Sequence, residues 1–360
     1  MPLEFASRIG RIPVYPAADG YALGDEVALL ASNETPFPPL PGVVAAAQAA
    51  VAGANRYPDP GNGELRRALA HRTGVPPDRI AIGNGSCDVL LAAGEALLEP
   101  GAEVVYSWPS FSVYPHLAAA SGARAVMVPL DPQDRHDLDA MLAEITVATR
   151  LVIVCNPNNP TATARSAAEI AEFVAAVPRQ VAVIVDEAYC EFTTLDDPDA
   201  TLGLLDAHAN LVLLRTFSKV YGLAGLRVGY GLCGSPAFKT AVDQVRQPFF
   251  CNVAAQAAAV EALRHQDEVA RRVEQTIAAR LQIEEGLAAL GLRPAESQAN
   301  FVWFHLGEEA DEPGIVAALG AQDVLVRSGT ALGRAGCLRV TCGTPSENAR
   351  FLAALGGLLG

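Results

Sequence analysis

The sequence predicts an α/β fold: a large domain with a mostly parallel central sheet flanked by helices, a smaller α+β domain, and an extended N-terminal arm. Three observations predict it. Short β-branched runs alternate with longer Ala- and Leu-rich segments between about 62 and 232, as strands joined by helical crossovers do. The runs 150–155 and 181–185 have no polar alternate face, which suits strands covered on both sides. From about Asn252 the alternation gives way to Ala, Val and Leu at helical spacing towards Leu290.

In chain order, residues 1–40 are rich in Pro and turn formers and read as the arm plus part of the small domain. Residues 41–255 form the large domain, with strands expected at 79–82, 103–106, 124–128, 150–154, 181–185, 211–214 and 227–232. Helices are expected near 62–73, 86–98, 111–121, 137–145 and 165–176. Residues 256–360 hold a long linking helix, then strands near 300–305, 324–327 and 337–341, and helices near 312–319 and from Pro345. In open α/β sheets ligands sit beyond the carboxyl ends of the strands, so the chemistry should lie at that edge.

Composition removes several classes. A chain of 360 residues that is 51% hydrophobic and 18% charged can bury a large core and is not disordered. A formal charge of −14 argues against a nucleic-acid partner. No uninterrupted apolar stretch is long enough for a membrane span, and the first ten residues lack the basic and apolar blocks of a secretion signal. Seven scattered cysteines with no CxxC pair suggest a cytoplasmic protein with reduced thiols. Asp134, His136, Asp137 and Asp139 could suggest a metal, but a solvated charged turn is the preferred reading, so no metal is expected.

The 26 basic residues divide into 24 Arg and two Lys, Lys219 and Lys239. Arginine stays charged and is a poor amine nucleophile, whereas a lysine amine can lose its proton and form an imine. Lys239 lies at a polar helix start and reads as a surface residue. Lys219 sits in Arg215-Thr-Phe-Ser-Lys-Val-Tyr-Gly-Leu-Ala-Gly-Leu-Arg-Val-Gly229, between the hydroxyls of Thr216 and Ser218 and the guanidinium of Arg227. That grouping suits a phosphate beside a Schiff base.

Three further motifs follow strands. Val183-Ile-Val-Asp-Glu-Ala-Tyr189 ends in two acids; either they face solvent, or Asp186 pairs with a cationic ring nitrogen while Tyr189 donates to a phenolate-like oxygen. Gly83-Asn-Gly-Ser-Cys-Asp88 is either a plain capped turn or a phosphate cradle at a helix N-terminus. Asn156-Pro-Asn-Asn-Pro-Thr161 makes a rigid turn from which Asn159 can offer its amide to a ligand.

Together these motifs resemble the fold-type I, pyridoxal-phosphate-dependent aminotransferases of class I/II, and the histidinol-phosphate aminotransferases most closely. The resemblance also covers Ser32-Asn-Glu-Thr-Pro36, Asn55-Arg-Tyr-Pro-Asp59, Pro109-Ser-Phe111 and Leu338-Arg-Val-Thr341. It implies that Lys219 forms the imine with pyridoxal 5'-phosphate and shuttles the α-proton. Asp186 would hold the pyridinium nitrogen, Tyr189 and Asn159 the ring hydroxyl, and Phe111 the ring face. The phosphate would take the backbone of Ser86 and Cys87, with Thr216, Ser218 and Arg227. Tyr57 would reach the neighbouring subunit's phosphate in a homodimer. Arg339 would fork onto the carboxylate of glutamate or 2-oxoglutarate, Arg327 would help bind the substrate's phosphate, and Tyr15 and Asn33 would lie on the substrate side.

Two departures from the family pattern stand out: Ala162 replaces the usual Gly after Pro-Thr, and Cys87-Asp88 replaces the commoner Asp-Glu. The activity so implied is transamination of L-histidinol phosphate with 2-oxoglutarate. An aromatic amino-acid aminotransferase is the alternative. A threonine-phosphate decarboxylase would release carbon dioxide, and an aminotransferase-like repressor would need a basic DNA-binding domain for which no residues remain.

Overall fold

A computed structural model describes residues 3–12, 14, 26–307 and 309–359. Its centre is a seven-stranded sheet of β1 (Ile80–Gly83), β2 (Glu103–Trp108), β3 (Arg124–Pro129), β4 (Thr149–Cys155), β5 (Ala182–Asp186), β6 (Leu211–Thr216) and β7 (Gly229–Cys233). The spatial order is β1-β7-β6-β5-β4-β2-β3. Neighbours from β6 to β3 run parallel, and β7 alone runs antiparallel to both of its neighbours.

The uniformly apolar strands divide their side chains between two cores. Val152, Val154, Val183, Val185, Leu211 and Leu213 pack on one face. Leu151, Ile153, Ala182, Ile184, Val212 and Leu214 pack on the other. Period-2 alternation therefore serves two buried layers, which is why no polar face is visible in the sequence. Chain connections leave adjacent strands β2 and β4 in opposite directions, opening a crevice beyond their carboxyl ends.

A second, four-stranded sheet is built on β8 (Phe301–His305), β9 (Arg327–Ser328) and β10 (Cys337–Thr341), with the short strand Arg293–Pro294 at its edge. The expected strand at 324–327 is two pieces. Val324–Leu325 pairs in parallel with Ala28–Leu29, whereas Arg327–Ser328 pairs with β10. The chain changes partners at Val326, so one apolar run serves two sheets.

The long linking helix is also divided, into Val253–Ala262 and Gln266–Ala289. Glu261 accepts from both Arg264 and His265 at the break, and Asp267 and Glu268 favour a new N-terminus there. Helices Pro41–Val51 and Pro236–Val245, absent from the expectation, each begin with Pro in the first turn, where its missing N–H costs nothing.

The turn expected to be solvated is not. Asp134 and His136 are buried; His136 Nε2 lies 2.9 Å from the Cys155 carbonyl, and Asp134 pairs with His305 and Arg334. The acids ending β5 do not face solvent either. Asp186 and Glu187 are both buried, and Glu187 accepts from Arg215 Nε at 2.8 Å and from Thr201. Removing one member of such a pair strands the other charge out of water. Arg215→Ala should lower stability by about 3–5 kcal/mol, read as the shift in a urea unfolding midpoint.

Candidate active site

The carboxyl ends of β2, β4, β5 and β6 open into a cavity of about 550 Å³. It is lined by Lys219, Asp186, Tyr189, Phe111, Asn159, Ser86, Cys87, Thr216, Ser218, Arg227, Arg327, Arg339 and Asn33. Residues spread from 33 to 339 thus converge on one volume. Tyr57 does not line it: its ring is exposed and stacks on Phe249 at 4.5 Å between centroids. Tyr15 lies outside the described residues.

Lys219 follows β6 in the connection to β7. Its Nζ donates to the carbonyls of Asn33 at 2.9 Å and Ser32 at 3.4 Å. Burial pushes the ammonium down to about 7, helped by the positive charge of Arg339 and opposed by Glu34. A lysine near neutrality exchanges readily between donor and nucleophile, whereas arginine at this place would stay charged.

Asp186 ends β5 beneath the cavity. Burial pushes its carboxyl up to about 6, while a hydrogen bond from the Tyr114 hydroxyl, 3.1 Å from Oδ2, acts in the opposite direction. The Ala188 amide donates to Oδ1 at 3.3 Å. Tyr114 was not singled out in the sequence, although it follows Phe111 by three residues and the two rings meet edge to face at 5.7 Å.

At the other end, helix Ser86–Leu97 starts at Gly85 without a side-chain cap. Thr216 lies opposite Gly229 in the β6–β7 register and accepts from the Ser218 amide at 3.0 Å. Arg227 crosses the gap with Nη2 at 3.4 Å from the Asn84 carbonyl. A Cβ at Gly229 would overlap the Ser86 amide nitrogen, and one at Gly85 would lie 2.6 Å from Arg227. Only glycine keeps this concavity open.

The remaining wall is polar and mostly buried. Arg339 donates from Nη1 to Asn159 Oδ1 and from Nη2 to the Ala31 carbonyl, both at 2.5 Å. Arg327 is its partner across the β9–β10 ladder, so two guanidinium-bearing positions share one face of the sheet. Asn33 ties the wall together: Nδ2 donates to the Tyr189 hydroxyl at 3.1 Å and Oδ1 accepts from Thr341 at 3.2 Å. Thr341 shares a strand face with Arg339, a relation readable from their spacing of two.

The sequence profile described as aminotransferase class I and II matches residues 25–355. The chain belongs to that family. It is 44% identical to the aromatic amino acid aminotransferase of Thermobifida fusca over 98% of this chain and 96% of that one. It is 43% identical to histidinol-phosphate aminotransferase 1 of Cupriavidus pinatubonensis over 95% and 91%. Among solved structures, the histidinol-phosphate aminotransferase of Sinorhizobium meliloti, in complex with pyridoxal-5'-phosphate, superposes with a TM-score of 0.87. That match has 31% identity and covers 99% of this chain and 97% of the other.

Aminotransferases of class I and II depend on pyridoxal phosphate. The residues of this aminotransferase fit the group: a near-neutral lysine, a buried carboxylate, and an uncapped helix start beside hydroxyls, an arginine and obligatory glycines. Ala162, where the family pattern has Gly, holds a left-handed φ of 62° and is fully buried, which explains the usual glycine.

The lowered Lys219 value has a consequence for the cofactor-free chain. Between pH about 7 and the ordinary lysine value of 10.5, the unfolded chain holds this proton and the folded chain does not. Stability from this group therefore rises with pH across that window. Lys219→Met should be more stable than the parent at pH 7, with a gap that narrows towards pH 10, measured by urea unfolding without cofactor. A pH-independent gap would contradict the buried-amine account.

Proposed function

We propose that this aminotransferase moves the amino group of L-histidinol phosphate to 2-oxoglutarate, giving imidazole acetol phosphate and glutamate, a step of histidine biosynthesis. The observation that carries this reading is the Arg327–Arg339 register. Like charges directly opposite on two strands repel each other. A doubly charged anion, whether a phosphate monoester or a dicarboxylate, offsets that repulsion better than a single carboxylate does. Histidinol phosphate carries a dianionic phosphate group, and 2-oxoglutarate is a dicarboxylate.

Pyridoxal phosphate, when bound, supplies an aldehyde that takes the amine and a ring that accepts the electrons of the broken Cα–H bond. The rest falls to this chain. Lys219 would hold the aldehyde carbon, then use its free Nζ to take the α-proton and deliver it to that same former aldehyde carbon, two bonds from where it was taken. Asp186, ionised above about pH 6, would keep a proton on the pyridine nitrogen. Arg339 occupies the oxygen of the Asn159 amide, leaving its NH2 to donate with Tyr189 towards the ring hydroxyl. Phe111 would cover the ring. The amides of Ser86 and Cys87, the hydroxyls of Thr216 and Ser218, and Arg227 would hold the phosphate.

We read the enzyme as a homodimer. Tyr57 is 81% exposed, stacked on Phe249 and outside its own cavity, which suits a ring that reaches the neighbouring subunit's phosphate. Exposed Phe5 and Val51 would also gain cover there. A cytoplasmic setting agrees with seven free cysteines, six of them buried. Among the described residues no helix is long and apolar enough to cross a membrane.

A second reading, transamination of phenylalanine and tyrosine, is favoured by the aromatic aminotransferases at 44–46% identity. Single-turnover loss of cofactor absorbance should separate the two, with histidinol phosphate reacting fastest. Faster reaction of the free aromatic acids overturns the first reading. Arg327→Ala should slow histidinol phosphate by about 10- to 100-fold, the scale of one charged hydrogen bond, and barely change phenylalanine. Lys219→Ala should yield no borohydride-reducible cofactor adduct by mass spectrometry; an adduct on Lys239 would displace the catalytic assignment.

A further inference from the structure

The segment from Gly329 to Cys337 joins β9 to β10 and carries Leu332 into the cavity wall. It lies against the end of β2, where a Cβ at Gly333 would fall 2.7 Å from the Trp108 ring. The helix Glu312–Gly320 holds it through Glu312, which accepts from Ser328, from the Thr330 amide at 2.9 Å and from the Gly336 amide at 2.6 Å. Towards the large sheet the segment sends Arg334 to Asp134, and β8 sends His305 to the same carboxylate at 2.7 Å.

Asp134 is buried in a turn after β3 with a left-handed φ of 60°. Its carbonyl accepts from Thr163 Oγ1 at 2.6 Å, Thr163 meets Thr161 at 2.9 Å, and Thr161 accepts from Asn158 at 2.8 Å. Asn158 precedes Asn159. On the other side His305 lies opposite Cys337 in the β8–β10 register, with Nδ1 at 3.3 Å from Sγ, two residues from Arg339. Asp134 therefore grips both sides of the Asn159–Arg339 contact, one through threonines and the other through His305 and Arg334.

We propose that Asp134 is a positioning residue that ties the Gly329–Cys337 segment to the large sheet and so fixes Arg339, and Arg327 across from it, for the substrate's anionic group. This rests on the reading of those two arginines as the anion site. The Asp134 carboxylate, then the Cys337 thiol, raise His305 to about 9, so the imidazole is charged at neutral pH and the contact is ionic. The Arg334 and His305 side chains are 42% and 40% exposed and the Asp134 side chain 8%, so loss of either cation leaves the buried carboxylate with the other. The contact's effect falls on where the segment sits.

Holoenzyme carrying Asp134→Asn, His305→Gln or Arg334→Ala tests this. The KM for 2-oxoglutarate and the Kd for maleate, an unreactive dicarboxylate, should each rise about ten-fold, the scale of one charge-assisted hydrogen bond. Turnover at saturation and the cofactor absorbance should change by less than about two-fold, and Arg334→Lys should restore KM. Amides of 329–336 should exchange faster in all three variants. Unchanged KM and Kd in His305→Gln and Arg334→Ala, even with a lower melting temperature, overturn the proposal. Arg339→Ala separates it from the underlying reading: a lost maleate site there, with intact binding in the Asp134 set, refutes only the positioning role. Intact binding in Arg339→Ala refutes both.

Discussion

Placing charge at the end of apolar, doubly covered strands is the constraint on which the rest of this structure depends. Asp186 and Glu187 leave β5 side by side, and neither reaches water. Glu187 is neutralised within the protein by Arg215. Among the described residues Asp186 accepts from the hydroxyl of Tyr114 and one amide, and burial raises its carboxyl to about 6. Lys219 faces the same shortage from the opposite sign. One acid is spent on holding the fold, and its neighbour is kept poorly satisfied where a cationic ligand can complete it.

The same reasoning shows why much of the fold was legible. Runs such as Val183-Ile-Val are apolar on both faces because two cores claim alternate residues, and that pattern admits few alternatives. The motifs at strand ends were legible as a group, since Ser86, Asn159, Asp186, Tyr189 and Lys219 line one cavity. The burial at Asp134 was not legible, since five polar residues among 134–139 look solvated unless the distant partners His305 and Arg334 are known. Tyr114 was invisible for a similar reason: one aromatic in a helix start carries no sign that it donates to a carboxylate. The split at Val326 depends on Ala28–Leu29, nearly 300 residues earlier, and local periodicity holds no record of it.

The near absence of lysine gains a physical meaning from the electrostatics. Burial leaves most arginines charged, so arginine serves wherever a permanent cation is wanted, as at Arg215 and Arg339. A permanent cation at position 219 could neither give up nor recover a proton. Composition and site chemistry thus agree at one residue, while Lys239 pairs with Asp243 at 2.7 Å in an ordinary helical ion pair.

The antiparallel strand β7 has an effect beyond sheet order. A helical crossover would carry the chain to the amino edge before it returned. Because β6 and β7 run in opposite directions, the intervening residues 217–228 leave and re-enter at the same edge. Thr216 and Gly229 form the paired stem of that excursion, and Gly229 backs the Ser86 amide. The anion cradle is thereby anchored by the stem, while the lysine rides on the excursion. Ser218 and Arg227 ride on the same excursion as Lys219, so a change in its length or path would move the amine and those two polar groups together, while the stem and the Ser86 amide stay in place.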